Sequence, residues 1–160
     1  KNRFENISLV WNMNKLFEEF IFEIMKKSSS EWSFTAQKGK KLLDGDNNKK
    51  RNTFVDIFVE NIKNKDKKII IDTKYKKLTS ANDFSNADVF QVSTYCLLHN
   101  TNQAVLLYPR WNDKSPAIPD YYLNTGDKRI KIDFKTINLK YDNLKNNLHK
   151  IKTEITKLLV

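Results

Sequence analysis

The chain has 160 residues, a formal net charge of +10, one cysteine and 39% hydrophobic residues. That is one domain's length, with enough apolar content to bury a core without covalent staples. The lone Cys96 excludes an internal disulfide and a cysteine-cluster zinc site, and no apolar run reaches the roughly 20 residues of a membrane helix.

Nothing at the N-terminus reads as a signal peptide, so a cytoplasmic location is expected. The sequence starts at Lys1 rather than Met, so a single domain over 1–160, cut from a longer protein, is expected. The positive charge favours a polyanionic partner, because phosphates bind lysine and arginine with release of counterions. The abundance of lysine and asparagine is also what an AT-rich genome produces, so charge alone does not decide.

In chain order, "WNMNKLFEEFIFEIMKK" carries Met13, Leu16, Phe17, Phe20, Ile21 and Ile24 at helical spacing. "EWSFTAQK" reads as a strand, and the lysine-rich "GKKLLDGDNNKKRN" as a loop. "TFVDIFVEN" and "KKIIIDTKYKK" are the second and third strands, joined by a turn. "SNADVFQVSTYCLLHN" is a helix capped by Ser85 or Asn86. "QAVLLYP" is a fourth strand stopped at Pro109, and "DYYLN" and "RIKIDFKTI" are two more. Finally, Tyr141, Leu144, Leu148, Ile151, Ile155 and Leu158 step by three and four, a heptad seam that suits a helix docked on its own domain or a homodimer.

Asp72 and Lys74 lie two apart on a strand, so they share a face with Cα atoms about 6–7 Å apart. Asp56, among Phe54, Val55, Ile57 and Phe58, needs a partner, because an unpaired buried carboxylate is costly. One divalent cation shared by Asp56 and Asp72 would serve both. Magnesium suits this chemistry, since it takes carboxylates, waters and phosphate oxygens. The plainer alternative is an exposed Asp72–Lys74 ion pair. A second set, Asp120, Asp133 and Lys135, has the same spacing and a Pro119–Asp120 step. The first set is preferred because it has an acidic helix before it and a helix and apolar strand after it.

The order helix, strand, Asp-bearing strand, Asp-x-Lys strand, helix, strand resembles the PD-(D/E)XK nuclease superfamily. More narrowly, "MNKLFEEF", "FVDIFV", "IIIDTKYK", "DVFQVSTY" and "AVLLYP" resemble the nuclease domain of the McrC family, the cleavage subunits of McrBC-type modification-dependent restriction systems. The resemblance covers roughly residues 10–110. It implies an α/β restriction-endonuclease-like core, α-β-β-β-α-β, with a mixed central sheet flanked by helices, here followed by extra C-terminal strands and a long C-terminal helix. It implies a metal-dependent endonuclease acting on DNA phosphodiesters, with Mg²⁺ as cofactor and Mn²⁺ able to substitute. A McrB-like GTP-hydrolysing AAA+ motor is the implied partner, although the region that engages it has no match in this stretch.

Carried over residue by residue, Asp56 is the first acid and Asp72 and Lys74 are the Asp-x-Lys. Asp56, Asp72 and the Thr73 carbonyl would hold the metal. Glu18, with Glu19 as the alternative, is the helix-borne glutamate and would bind a second metal or a metal water, and Gln91 and Tyr95 support the site. Val55 stands where the superfamily has proline. Lys38, Lys40, Lys41, Lys49, Lys50 and Arg51 are candidates for phosphate contacts, which position DNA without reading it. The competing expectation is a nucleic-acid-binding or assembly module on the same fold, with cleavage inactive or secondary, and RNA remains open as the substrate.

Overall fold

Asn12 starts the first helix by accepting a hydrogen bond from the Lys15 amide at its side chain. The structure is a computed structural model that describes residues 11–46, 49–112, 114–141 and 144–159. This helix, α1 (Met13–Lys26), buries one face through Phe17, Ile21, Ile24 and Met25. There follow β1 (Trp32–Asp44), β2 (Lys50–Asn61), β3 (Lys68–Thr73), α2 (Asn86–His99), β4 (Gln103–Pro109), β5 (Tyr121–Thr125), β6 (Lys128–Ile137) and α3 (Leu144–Thr156), which ends in a 3₁₀ turn, Lys157–Leu159. Ser85 caps α2 by accepting from the Asp88 amide.

The strands form one mixed six-stranded sheet in the order β1-β2-β3-β4-β6-β5. β3 and β4 run parallel with α2 as their crossover, and β4 and β6 are also parallel. The other pairings are antiparallel. α1 and α3 cover one face around Ile57, Val59, Ile69, Ile71, Val105 and Leu107. α2 covers the other around Phe58, Ile70, Ala104, Leu106 and Tyr108. β3 is therefore buried on both sides, which is why "KIIID" lacks the alternation of a half-exposed strand. Each of its fully buried isoleucines contributes about 1.5–3 kcal/mol. The mixed α/β fold is the expected nuclease-like one. Among the described residues, no helix is long and apolar enough to cross a membrane.

One expectation is corrected. The lysine-rich stretch is no loop: β1 continues to Asp44 and β2 starts at Lys50, with pairing from Lys38↔Val55 to Asp44↔Lys50. β3 pairs only Ile57–Glu60 of β2, so this part of the hairpin extends past the sheet as a two-stranded ribbon. Cross-strand pairing holds it, and burial, the signal a sequence carries, does not. The C-terminal seam packs inward. Ile151, Ile155 and Leu159 are buried with α1, and Tyr141, Leu148 and Leu158 pack against them, as expected of a helix docked on its own domain.

Candidate active site

The site lies where β2 and β3 part. Their ladder ends at Ile57↔Ile71. Past that point the Asp56 carboxylate replaces the missing strand partner: its Oδ2 accepts from the Thr73 amide at 2.9 Å and from Thr73 Oγ1 at 3.0 Å. Thr73 thus serves the site through its N–H and hydroxyl, a role that the expectation for its carbonyl did not include. Asp72 is 1% exposed. Its Oδ1 accepts no hydrogen bond, and its Oδ2 meets the Lys74 ammonium at 2.7 Å as an ion pair. The Lys74 amide donates to the Leu107 carbonyl at 2.9 Å, which keeps Lys74 beside β4 after β3 has ended.

α2 presents Asp88, Gln91 and Tyr95 to this lysine at steps of three and four. Lys74 Nζ donates to Gln91 Oε1 at 2.8 Å, and Gln91 Nε2 donates to the Tyr95 hydroxyl at 2.7 Å. Asp88 is 3.7 Å from Lys74 and also pairs with Lys76. Sequence reasoning missed Asp88, because an acid in the first turn of a helix already has a reason to be there. From α1, Glu18 Oε1 accepts from Gln37 Nε2 at 2.5 Å and lies 3.2 Å from Lys15 Nζ. Its side chain is only 13% exposed, whereas that of Glu19 is 62% exposed, so Glu18 is the acid turned to the site.

The charges are poorly balanced. Burial, and then the nearby Asp56 carboxylate, push Asp72 up to about 7, against the pull of Lys74. Burial also raises Asp56; the Thr73 amide opposes this and the Glu18 charge adds to it. Burial alone would lower Lys74, but Asp72, Asp88 and Asp56 outweigh it and hold the ammonium above its ordinary value. A divalent cation fits these residues: it would satisfy the orphaned Asp72 Oδ1 and relieve the Asp56–Asp72 repulsion. Among the described residues, no group of three or more His, Cys, Asp or Glu is gathered as a cation cage.

A family model described as "McrBC 5-methylcytosine restriction system component" matches residues 1–109. The chain belongs to that family. A search of curated proteins finds no match. Among solved structures, a chain in the refined half-complex from the tetradecameric assembly of Thermococcus gammatolerans McrB AAA+ hexamers with bound McrC is similar, with a TM-score of 0.62 at 17% identity. The match covers 91% of this chain and 33% of that one, so this chain spans about a third of its length. At that identity the likeness bears on the fold alone.

The McrBC match contains every residue of the site just described and stops before β5, β6 and α3. Asp120, Asp133 and Lys135 therefore lie outside it. They also come together, but around Lys131, which is 3.0 Å from Asp133 and 3.4 Å from Asp120. Lys135 is 3.9 Å from Asp133, and Gln103 Nε2 donates to Asp133 Oδ2 at 3.5 Å. The basic candidates divide. Lys40, Lys49, Lys50 and Arg51 are exposed on the β1–β2 arm. Lys41 pairs with Asp44, and Lys38 sits over the Phe58 ring at 3.6 Å, its pKa lowered by burial.

Proposed function

We propose that this chain is the magnesium-dependent nuclease domain of a McrBC-type restriction system, hydrolysing DNA phosphodiesters by PD-(D/E)XK chemistry. The observation that carries the reading is Asp72: a buried carboxylate with an orphaned oxygen, beside a second carboxylate, within ion-pair distance of a lysine held by α2. Burying such a set costs several kcal/mol and a buried pair at best breaks even, so stability alone does not explain it.

Asp56 and Asp72 would hold the cation, with the Glu18 charge close enough to act on Asp56. When bound, magnesium neutralises charge on the phosphate and makes water a better nucleophile. Lys74 orients the attacking water and stabilises negative charge as it develops on the phosphate. Gln91 and Asp88 fix the lysine's direction, and Tyr95 fixes Gln91. Thr73 keeps Asp56 turned toward Asp72.

DNA approaches along the β1–β2 ribbon, which begins at the level of Asp56. The seven residues Lys38–Asp44 span about 23 Å at strand rise. A two-stranded ribbon fits a major groove about 12 Å wide and is too broad for the minor groove of about 6 Å. The exposed Lys40, Lys50 and Arg51 then meet phosphates, and affinity falls steeply with salt. A McrB-like AAA+ motor is the partner, engaged by parts of the longer protein that this chain does not match, and a cytoplasmic location goes with this role.

The test is nicking of supercoiled plasmid with Mg²⁺, Mn²⁺ or EDTA, by the parent and by Asp72→Asn. Metal-dependent nicking that the variant lacks supports the reading. DNA binding without nicking under any of these conditions replaces it with a binding or assembly module.

A further inference from the structure

Gln37 sits in the middle of β1 with φ at 49°, in the left-handed region. Side chains other than glycine, asparagine and aspartate seldom enter that region, and such strain collects at functional sites. Gln37 itself is unpaired, but the register is the same on either side, Ala36↔Ile57 and Lys38↔Val55, so no register shift accounts for the conformation. The residue that this register sets opposite Gln37 is Asp56.

The irregularity reorders the faces of the hairpin. Before it, Phe34 packs in the α1 cluster with Ile57 and Val59 of β2. Past it, Lys38 lies over the ring of Phe58, and Val55 belongs to the α2 cluster. Alternation in both strands slips by one at the level of Gln37 and Asp56. The Gln37 amide then reaches a residue nineteen positions away: Nε2 donates to Glu18 Oε1 at 2.5 Å. Among the described residues, both polar partners of Glu18, Gln37 and Lys15, meet Oε1, and Oε2 accepts no hydrogen bond. Glycine or asparagine would relieve the backbone but could not reach.

We propose that Gln37 is a positioning residue of the metal site, held in a strained conformation so that its amide fixes Glu18 and leaves the second Glu18 oxygen free for the cation or its water. This rests on the nuclease reading and adds a residue that no motif assigned. It predicts a split that an ordinary structural contact would not produce.

The test measures Mn²⁺ affinity by electron paramagnetic resonance and metal-free melting for the parent, Gln37→Gly, Gln37→Asn, Glu18→Ala and Gln37→Gly/Glu18→Ala. Gln37→Gly should melt at or above the parent's temperature, because glycine accepts a positive φ without strain. It should nevertheless bind Mn²⁺ about tenfold or more weakly, the usual effect of losing an outer partner of a metal ligand. Gln37→Asn should show the same loss, its side chain being one methylene too short. In the Glu18→Ala background the Gln37→Gly loss should disappear. Parent-like Mn²⁺ affinity in Gln37→Gly overturns the proposal, as does an undiminished loss in the Glu18→Ala background. Asp72-dependent Mn²⁺ binding by the parent keeps such a failure distinct from failure of the nuclease reading. A parent that binds no Mn²⁺ defeats both.

Discussion

Two stretches of this chain spell aspartate-x-lysine on a strand, and the fold treats them in opposite ways. Asp133 is buried, but two lysines and Gln103 surround it and its nearest acid partner is across Lys131. Asp72 has one lysine at contact distance, a second carboxylate beside it, and an oxygen with no donor. The first set is neutralised by its own neighbours. The second sets two carboxylates, Asp72 and Asp56, against one lysine at contact distance. Spacing was common to both, and the balance of charge around the buried acid tells them apart.

Four experiments sharpen or break that contrast. Lys74→Ala should lower metal-dependent cleavage by about 10²–10⁴-fold while Lys135→Ala leaves it unchanged, as read by plasmid nicking. Equal rates for the two variants would put both stretches in the same structural class.

Asp72→Asn should abolish cleavage and raise the melting temperature in metal-free buffer at pH 8. The folded pKa of Asp72, about 7, lies above the ordinary 3.8. Ionisation is therefore disfavoured in the fold, and its share of stability, present at low pH, is lost as pH rises from about 4 to about 7. The upper bound on that loss is about 4 kcal/mol. The advantage of Asp72→Asn should therefore shrink between pH 8 and pH 5, and the parent alone should be stabilised by Mn²⁺. Asp133→Asn should behave oppositely, losing about 1 kcal/mol by urea melting with cleavage intact.

Asp88→Asn should leave Lys74 less firmly held and cut cleavage about tenfold, with little change in DNA affinity. Tyr95→Phe removes only the hydroxyl that holds Gln91, and should slow cleavage a few-fold in single-turnover assays.

The elements themselves were legible. Helical spacing gave α1, the Ser85 cap marked the start of α2, and the apolar run before Asp72 marked a strand. Asp56, Asp72 and Lys74 could be picked out because strand periodicity puts charged groups among residues that must be buried. Other features left no local mark. Asp88 has an ordinary reason to open a helix. Gln37 is not a residue type that favours a left-handed backbone, so its conformation comes from the hairpin and from Glu18. The ribbon's lysines read as a loop, since the forces pairing them act across strands rather than along the sequence.

α1 and α3 lie side by side on one face of the sheet, although one is the first described helix to be synthesised and the other the last. Glu154 joins this face to the rest through Arg110 at 3.0 Å and the Asn138 amide at 3.0 Å. During translation α1 emerges long before its neighbour exists, and the apolar face that it half covers stays open to water until Ile151, Ile155 and Leu159 arrive. Glu18 rides on α1. Under the nuclease reading, a nascent chain carries its acids and lysine but lacks the finished frame that aims them. Ribosome-arrested chains of increasing length should therefore gain Mn²⁺ affinity only once residues 151–159 are free.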